Sequence, residues 1–165
     1  MTTYPIDIKV NGEWKRAEVT ARETLLDALR NRLRAFEVKD GCSQGDCGAC
    51  TVILAGRAVN ACLTLAVQAN GKEITTLKGV GTSENPDPLQ KSFVEHGAIQ
   101  CGFCTPGVVV SAKALLEANP NPNREEIREG ISGNLCRCTG YTQIVEAIED
   151  AAAHGRRGVG EREDA

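Results

Sequence analysis

Aromatic residues are scarce in this chain, at 4% of 165 residues. Its core must therefore be built from Val, Ile, Leu and Ala. No apolar run approaches the roughly 20 residues that span a bilayer, which argues against a transmembrane helix. The start, Met1-Thr2-Thr3-Tyr4-Pro5-Ile6-Asp7, has neither a basic stretch nor an apolar core, which argues against a secretory leader. A surplus of basic charge is also missing. The formal net charge is −3, a poor balance for a general nucleic-acid binder, and the pair Arg156-Arg157 is too short to change that. Histidine is nearly absent: only His96 and His154 occur, both outside the cysteine motifs, and both read as surface or packing residues.

Cysteine is what the chain has in quantity, with eight residues in two groups of four. The first group is Cys42-x4-Cys47-x2-Cys50, with Cys62 further on. The second is Cys101-x2-Cys104 and then, after a long gap, Cys136-x-Cys138. A disulfide framework fits poorly, because such scaffolds are usually small and secreted. These cysteines instead sit in glycine-rich loops between well-patterned elements.

The first three positions match the plant-type spacing that holds a 2Fe–2S cluster with a fourth, later cysteine. Glycines flank them in Gly41-Cys42-Ser43-Gln44-Gly45-Asp46-Cys47-Gly48-Ala49-Cys50. They let the backbone fold round a cluster and bring amide N–H groups to its sulfurs. A four-cysteine zinc site usually shows paired hooks on both sides. Three ligands against one favours iron–sulfur, and with no histidine in the motifs a Rieske centre is excluded.

The second group is less decided by spacing alone. Cys101-Gly102-Phe103-Cys104 runs into Thr105-Pro106, and Cys136-Arg137-Cys138 runs into Thr139-Gly140. Both pairs are expected just before helix N-termini, where free amides and the positive dipole end favour an anionic cluster. A zinc ribbon also uses two cysteine pairs, and that alternative stays open here. An oxidised 2Fe–2S cluster with four thiolates carries about −2, so two of them take the charge from −3 to about −7.

The pattern changes along the chain. Ile6, Ile8 and Val10 alternate with polar residues, Asn11-Gly12 supplies a type I′ turn, and Trp14 to Val19 forms the return strand. Thr20-x-x-Glu23 resembles a capping box, with Leu25, Leu26, Leu29 and Leu33 on one helical face. A second hairpin is expected at Thr51 to Val59 around Ala55-Gly56, and a closing strand at Ile74 to Leu77. The stretch Gly79 to Pro88 reads as a linker. Helices are then expected from Leu89 to Glu95, from Thr105-Pro106 to Asn119, from Glu125 to Ile131, and from Thr139-Gly140 through Ile144, Val145 and Ile148. The expectation is an α+β chain: residues 1–79 as a ferredoxin-like 2Fe–2S domain, 80–88 as linker, 89–154 as a small four-helix bundle, 155–165 as a polar tail.

Three stretches carry a family resemblance: Gly41 to Val52, Gln100-Cys101-Gly102-Phe103-Cys104-Thr105-Pro106-Gly107, and Gly133-Asn134-Leu135-Cys136-Arg137-Cys138-Thr139-Gly140-Tyr141. With them the chain resembles the small iron–sulfur subunit of molybdenum hydroxylases of the xanthine oxidase family, over about residues 4–153. The resemblance implies a β-grasp domain followed by a four-helix domain, and two 2Fe–2S clusters. Cys42, Cys47, Cys50 and Cys62 would hold the cluster nearer a flavin. Cys101, Cys104, Cys136 and Cys138 would hold the one nearer molybdenum, with Gln100 and Cys138 approaching the pterin. It implies a large molybdopterin-binding subunit and a medium FAD-binding subunit as partners, in a dimer of heterotrimers, in the cytoplasm or at the inner face of the membrane. The chain has no G-x-G-x-x-G after a strand and no room for a molybdopterin domain, so substrate chemistry belongs to another chain. A free two-cluster ferredoxin and a structural zinc protein are the rival readings.

Overall fold

In the computed structural model, residues 2–160 are described, with side chains through residue 154. The alternation in the first segment gives β1 (Thr3–Val10) and β2 (Glu13–Thr20), paired antiparallel from Thr3 against Thr20 to Val10 against Glu13. Asn11 and Gly12 both take positive φ, 51° and 87°, as a type I′ turn requires. Ile6, Ile8, Val10, Ala17 and Val19 point inward; Trp14 stays exposed.

The helix after β2 starts later than the capping-box reading expects. Glu23 does accept from the Thr20 amide, but this closes a turn. The cap is Thr24, whose hydroxyl accepts from the Asp27 amide. Helix α1 (Leu25–Asp27) then widens into a π-helical turn over Ala28–Arg32. Its Leu25, Leu26 and Leu29 are buried, and Leu33 packs against the same core.

The second hairpin is β3 (Thr51–Leu54) and β4 (Arg57–Asn60), turning at Ala55-Gly56. Strand β5 (Glu73–Thr75) lies between the hairpins, parallel to β1 and antiparallel to β3, and the sheet order is β2-β1-β5-β3-β4. The last strand in sequence is thus the central one. It joins two local hairpins into one mixed sheet over α1, with Ile74 fully buried. A cluster from Ile6 to Ile74 forms this core.

Leu77 does not extend β5. It opens a short helix, α2 (Leu77–Val80), and Leu77 and Val80 pack on a second core. That core is lined by α3 (Pro88–Glu95), α4 (Thr105–Ala118), α5 (Arg124–Gly130) and α6 (Thr142–Gly160). Asp87 caps α3 and Asn123 caps α5, each in a capping box with the residue three on. The run Asn119-Pro120-Asn121-Pro122 ends α4 as its prolines require. Two helix starts differ from expectation. Cys104 caps α4, which places Thr105 first and Pro106 second. Helix α6 begins at Thr142, not at Thr139-Gly140, because Gly140 and Tyr141 hold positive φ of 65° and 69° and cannot be its first turn. It continues to Gly160, into the segment expected as tail; residues 161–165 lie outside the described residues.

The two cores meet along β3 and α4. A side chain on Gly107 of α4 would place its Cβ 2.3 Å from the Gly48 carbonyl, so glycine is what lets α4 lie this close to the first cysteine loop.

Candidate iron–sulfur sites

The eight cysteines form two separate sets of sulfurs. In the first, Cys42 and Cys47 are within hydrogen-bonding reach of each other, as are Cys50 and Cys62. Cys50 and Cys62 are buried, Cys42 and Cys47 half-buried. In the second, Cys104 pairs with Cys136 and Cys101 with Cys138, the latter two sulfurs 3.5 Å apart. Cys101 and Cys138 are exposed. All eight expected ligands are thus brought together, two by two. Gln100 is exposed beside Cys101.

The backbone explains the first set. Ser43, Gly45 and Gly48 take positive φ and wrap residues 41–50 into a tight shell. The shell leaves no spare room: a Cβ on Gly41 would sit 2.8 Å from the Cys47 sulfur and 3.4 Å from the Phe103 ring. Cys62 arrives on a 3-10 turn at Ala61–Leu63, directly after β4. Asn60 fastens that turn to the loop by donating to the Gly45 carbonyl.

The second set is less symmetric than expected. Cys101 and Cys104 do lead straight into α4. Cys138 is separated from α6 by Thr139, Gly140 and Tyr141, and these residues build a small cage. The Tyr141 hydroxyl accepts from the Cys136 amide at 2.8 Å and donates to the Asn134 carbonyl at 3.2 Å. The Thr139 hydroxyl oxygen accepts from the Tyr141 amide and lies 3.2 Å from the Cys136 sulfur. Neither role was assigned from the sequence. A threonine three residues beyond a cysteine is within local side-chain reach, which is the signal that could have found it.

The thiol electrostatics divide each touching pair. Amides of Gln44 and Cys47 pull the Cys42 thiol down to about 7, while burial and the neighbouring Cys42 push Cys47 up. Burial and then Cys50 push Cys62 up to about 11. Burial, and then Cys136, push Cys104 up to about 12. Burial also opposes ionisation of Cys136, but the Thr139 hydroxyl, with the amides of Thr139 and Cys138, outweighs it and holds that thiol near 7. Cys101 pushes its partner Cys138 up. Cys42 and Cys136 thus ionise readily, while Cys47, Cys62, Cys104 and Cys138 are each opposed in part by a neighbouring thiol.

Four thiolates in one site therefore need cationic charge between them. Among the described residues, no three His, Cys, Asp or Glu side chains gather tightly enough for one metal ion. Two sulfur pairs suit a group with two metals, each taking two thiolates, which is the donor set of a 2Fe–2S cluster. The residues present fit that group in both sites.

The histidines take no part. His96 contacts the carbonyl and hydroxyl of Ser92, and His154 pairs with Asp150. No helix among the described residues is long and apolar enough to cross a membrane.

Comparison with known proteins agrees with the cysteine geometry. Residues 8–77 match the 2Fe-2S iron-sulfur cluster binding domain, and residues 76–149 match the [2Fe-2S] binding domain. The chain is 53% identical to the nicotine 6-hydroxylase small subunit of Paenarthrobacter nicotinovorans, over 88% of both chains. It is 48% identical to the nicotinate dehydrogenase small FeS subunit of Eubacterium barkeri, over 92% of this chain and 96% of that one. Among solved structures, quinoline 2-oxidoreductase from Pseudomonas putida 86 superposes with a TM-score of 0.89 at 46% identity, covering 94% of this chain and 98% of that chain. The larger aldehyde oxidoreductase of Desulfovibrio gigas matches with a TM-score of 0.90 at 48% identity, over 97% of this chain but 18% of its own. With two matched cluster-binding domains, two sets of four sulfurs and small-subunit relatives this similar over 88% and 96% of their length, the chain carries two 2Fe–2S clusters and belongs to the family of small iron–sulfur subunits of the molybdenum hydroxylases.

Proposed function

We propose that this chain conducts electrons between a molybdopterin site on a large partner subunit and FAD on a medium one. Cys42, Cys47, Cys50 and Cys62 ligate the cluster on the flavin side. Cys101, Cys104, Cys136 and Cys138 ligate the cluster on the molybdenum side, where Gln100 and Cys138 face the pterin. The complex is a dimer of heterotrimers, working in the cytoplasm or at the inner face of the membrane. The finer architecture is a β-grasp domain followed by a four-helix bundle of α3 to α6.

One observation carries this reading. The two cysteine loops are joined by a direct main-chain hydrogen bond, from the Leu135 amide to the Cys47 carbonyl at 2.9 Å. An electron carrier needs its two sites coupled in one rigid body, and this contact links a residue of one set to the neighbour of Cys136 in the other. The exposure of the second set supports a partner on that side. Cys101 and Cys138 are exposed, and the exposed apolar residues Ile99, Phe103 and Leu135 stand within three residues of them in sequence, which suits a docking face toward a partner.

Bound clusters supply one-electron steps. The chain's own residues set the terms of those steps. Amides of Gln44, Asp46 and Cys47 donate to the Cys42 sulfur and favour the more negative, reduced state. Burial of Cys50 and Cys62 shields that half of the first site from water.

The test is purification of the native complex through a tag on this chain. The expected result is co-purification with one molybdenum-containing and one FAD-containing subunit, and about four irons and four acid-labile sulfides per copy of this chain. A lone iron–sulfur protein of this chain's size would make it a free ferredoxin. Zinc without labile sulfide would make it a structural zinc protein.

A further inference from the structure

The Cys136 sulfur is served differently from the other seven. Its neighbour Thr139 brings a hydroxyl to 3.2 Å, and no other cysteine among the described residues has a hydroxyl or amide side chain at its sulfur. In the free thiol either atom could donate. A thiolate bound to iron has no proton, so in the loaded protein the hydroxyl must be the donor.

The fold fixes that orientation from both sides. The Thr139 oxygen already accepts from the Tyr141 amide at 3.2 Å, which occupies a lone pair and leaves its O–H free to turn to the sulfur. The Cys136 amide cannot serve its own sulfur, because the Tyr141 hydroxyl takes it at 2.8 Å. That hydroxyl is held in turn by the Asn134 carbonyl. Tyr141 sits at φ 69°, a left-handed position costly for a bulky residue, and its ring end spans the loop it stabilises. Hydrogen bonds to a ligand sulfur stabilise the more negative, reduced cluster and so raise its potential.

We propose that Thr139 is a potential-tuning residue of the second cluster: its hydroxyl, oriented by the Tyr141 amide, donates to the Cys136 sulfur and raises that cluster's potential above the value it would have without this bond. The proposal rests on Cys136 being an iron ligand, as put forward above. Its consequence is a more readily reduced second cluster.

The experiment is a redox titration of the native complex followed by EPR, with Thr139→Val, Thr139→Ala and Thr139→Ser compared. Iron and labile sulfide on the unmutated chain come first. If it holds one cluster, with no second EPR signal, the ligand assignment fails and the proposal falls with it. With both clusters present, Val and Ala are expected to shift the electron distribution about tenfold away from the second cluster, which for a one-electron couple is 59 mV. The first cluster's potential stays in place, and Ser restores the distribution. An unchanged distribution in Val and Ala overturns the proposal. So does an equal shift of both clusters. Loss of the second cluster's iron from both Val and Ala also overturns it, since Thr139 is then a structural cap.

Discussion

The Leu135 amide donates to the Cys47 carbonyl at 2.9 Å, across 88 positions of sequence. Beside it, the Asn134 side-chain amide donates to the Gly48 carbonyl at 2.9 Å and reaches the Thr51 hydroxyl at 3.3 Å. Asn134 is 4% exposed. The two cysteine loops are therefore clamped by consecutive residues, one through its main chain and one through its side chain.

Replacing Asn134 by Ala removes the buried donor and is expected to cost about 1–3 kcal/mol. Asn134→Asp should cost more, because a carboxylate has no donor for the Gly48 carbonyl and would set a buried negative charge against the negative end of that dipole. Denaturant unfolding of the loaded protein checks the order. Equal stability of Asp and wild type would remove the clamp from the account.

Gly48 is the other half of the contact. It holds φ 66°, and a Cβ there would stand 2.2 Å from the Gly133 carbonyl and 2.7 Å from the Asn134 side chain. Gly48→Ala is expected to destabilise by about 3 kcal/mol, from left-handed backbone strain together with overpacking against main chain. By contrast, Gly56→Ala has a similar positive φ but open space around it, and should cost only the backbone part, about 1 kcal/mol. Thermal unfolding of the two variants side by side separates packing from strain.

Cys138→Ser replaces an exposed sulfur of the second set. Electron delivery from substrate should fall at least tenfold while the EPR signal of the first cluster persists. Loss of both signals would point to misfolding and not to an interrupted path.

Gln100 is exposed beside Cys101. Gln100→Ala in the assembled complex is expected to lower retained molybdenum and turnover while leaving iron content unchanged. Unaltered turnover and molybdenum would deny it a place at the pterin.

Much of the first site was legible in the sequence. Three ligands within nine residues, spaced by glycines, are a local arrangement, and the hairpins around them follow from alternation and Asn-Gly chemistry. The second site was legible as a set of residues but not as a structure. The expected helix start at Thr139-Gly140 misplaced the loop, because Thr-Gly reads as a cap while the positive φ of Tyr141 depends on a hydroxyl that reaches back to Cys136 and Asn134. Likewise, α1 was expected from a capping box at Thr20, but the cap fell to Thr24, where the turn through Glu23 delivers the chain onto the sheet.

By itself, then, the sequence determined the chemistry: eight thiols, their grouping by four, and the strands and helices that carry them. Those are properties of neighbours along the chain. Only the tertiary structure decided which sulfurs pair, that β5 lies between the hairpins, that Leu135 and Asn134 lock onto Cys47 and Gly48, and that Thr139 meets Cys136 on terms set by Tyr141. The reason is physical. A ligand pair, a sheet order or an interdomain hydrogen bond becomes favourable once distant segments are packed together, and most of these partners lie tens of residues apart. Even the Thr139 contact, local as it is, depends on a loop whose shape is held by the core beneath it.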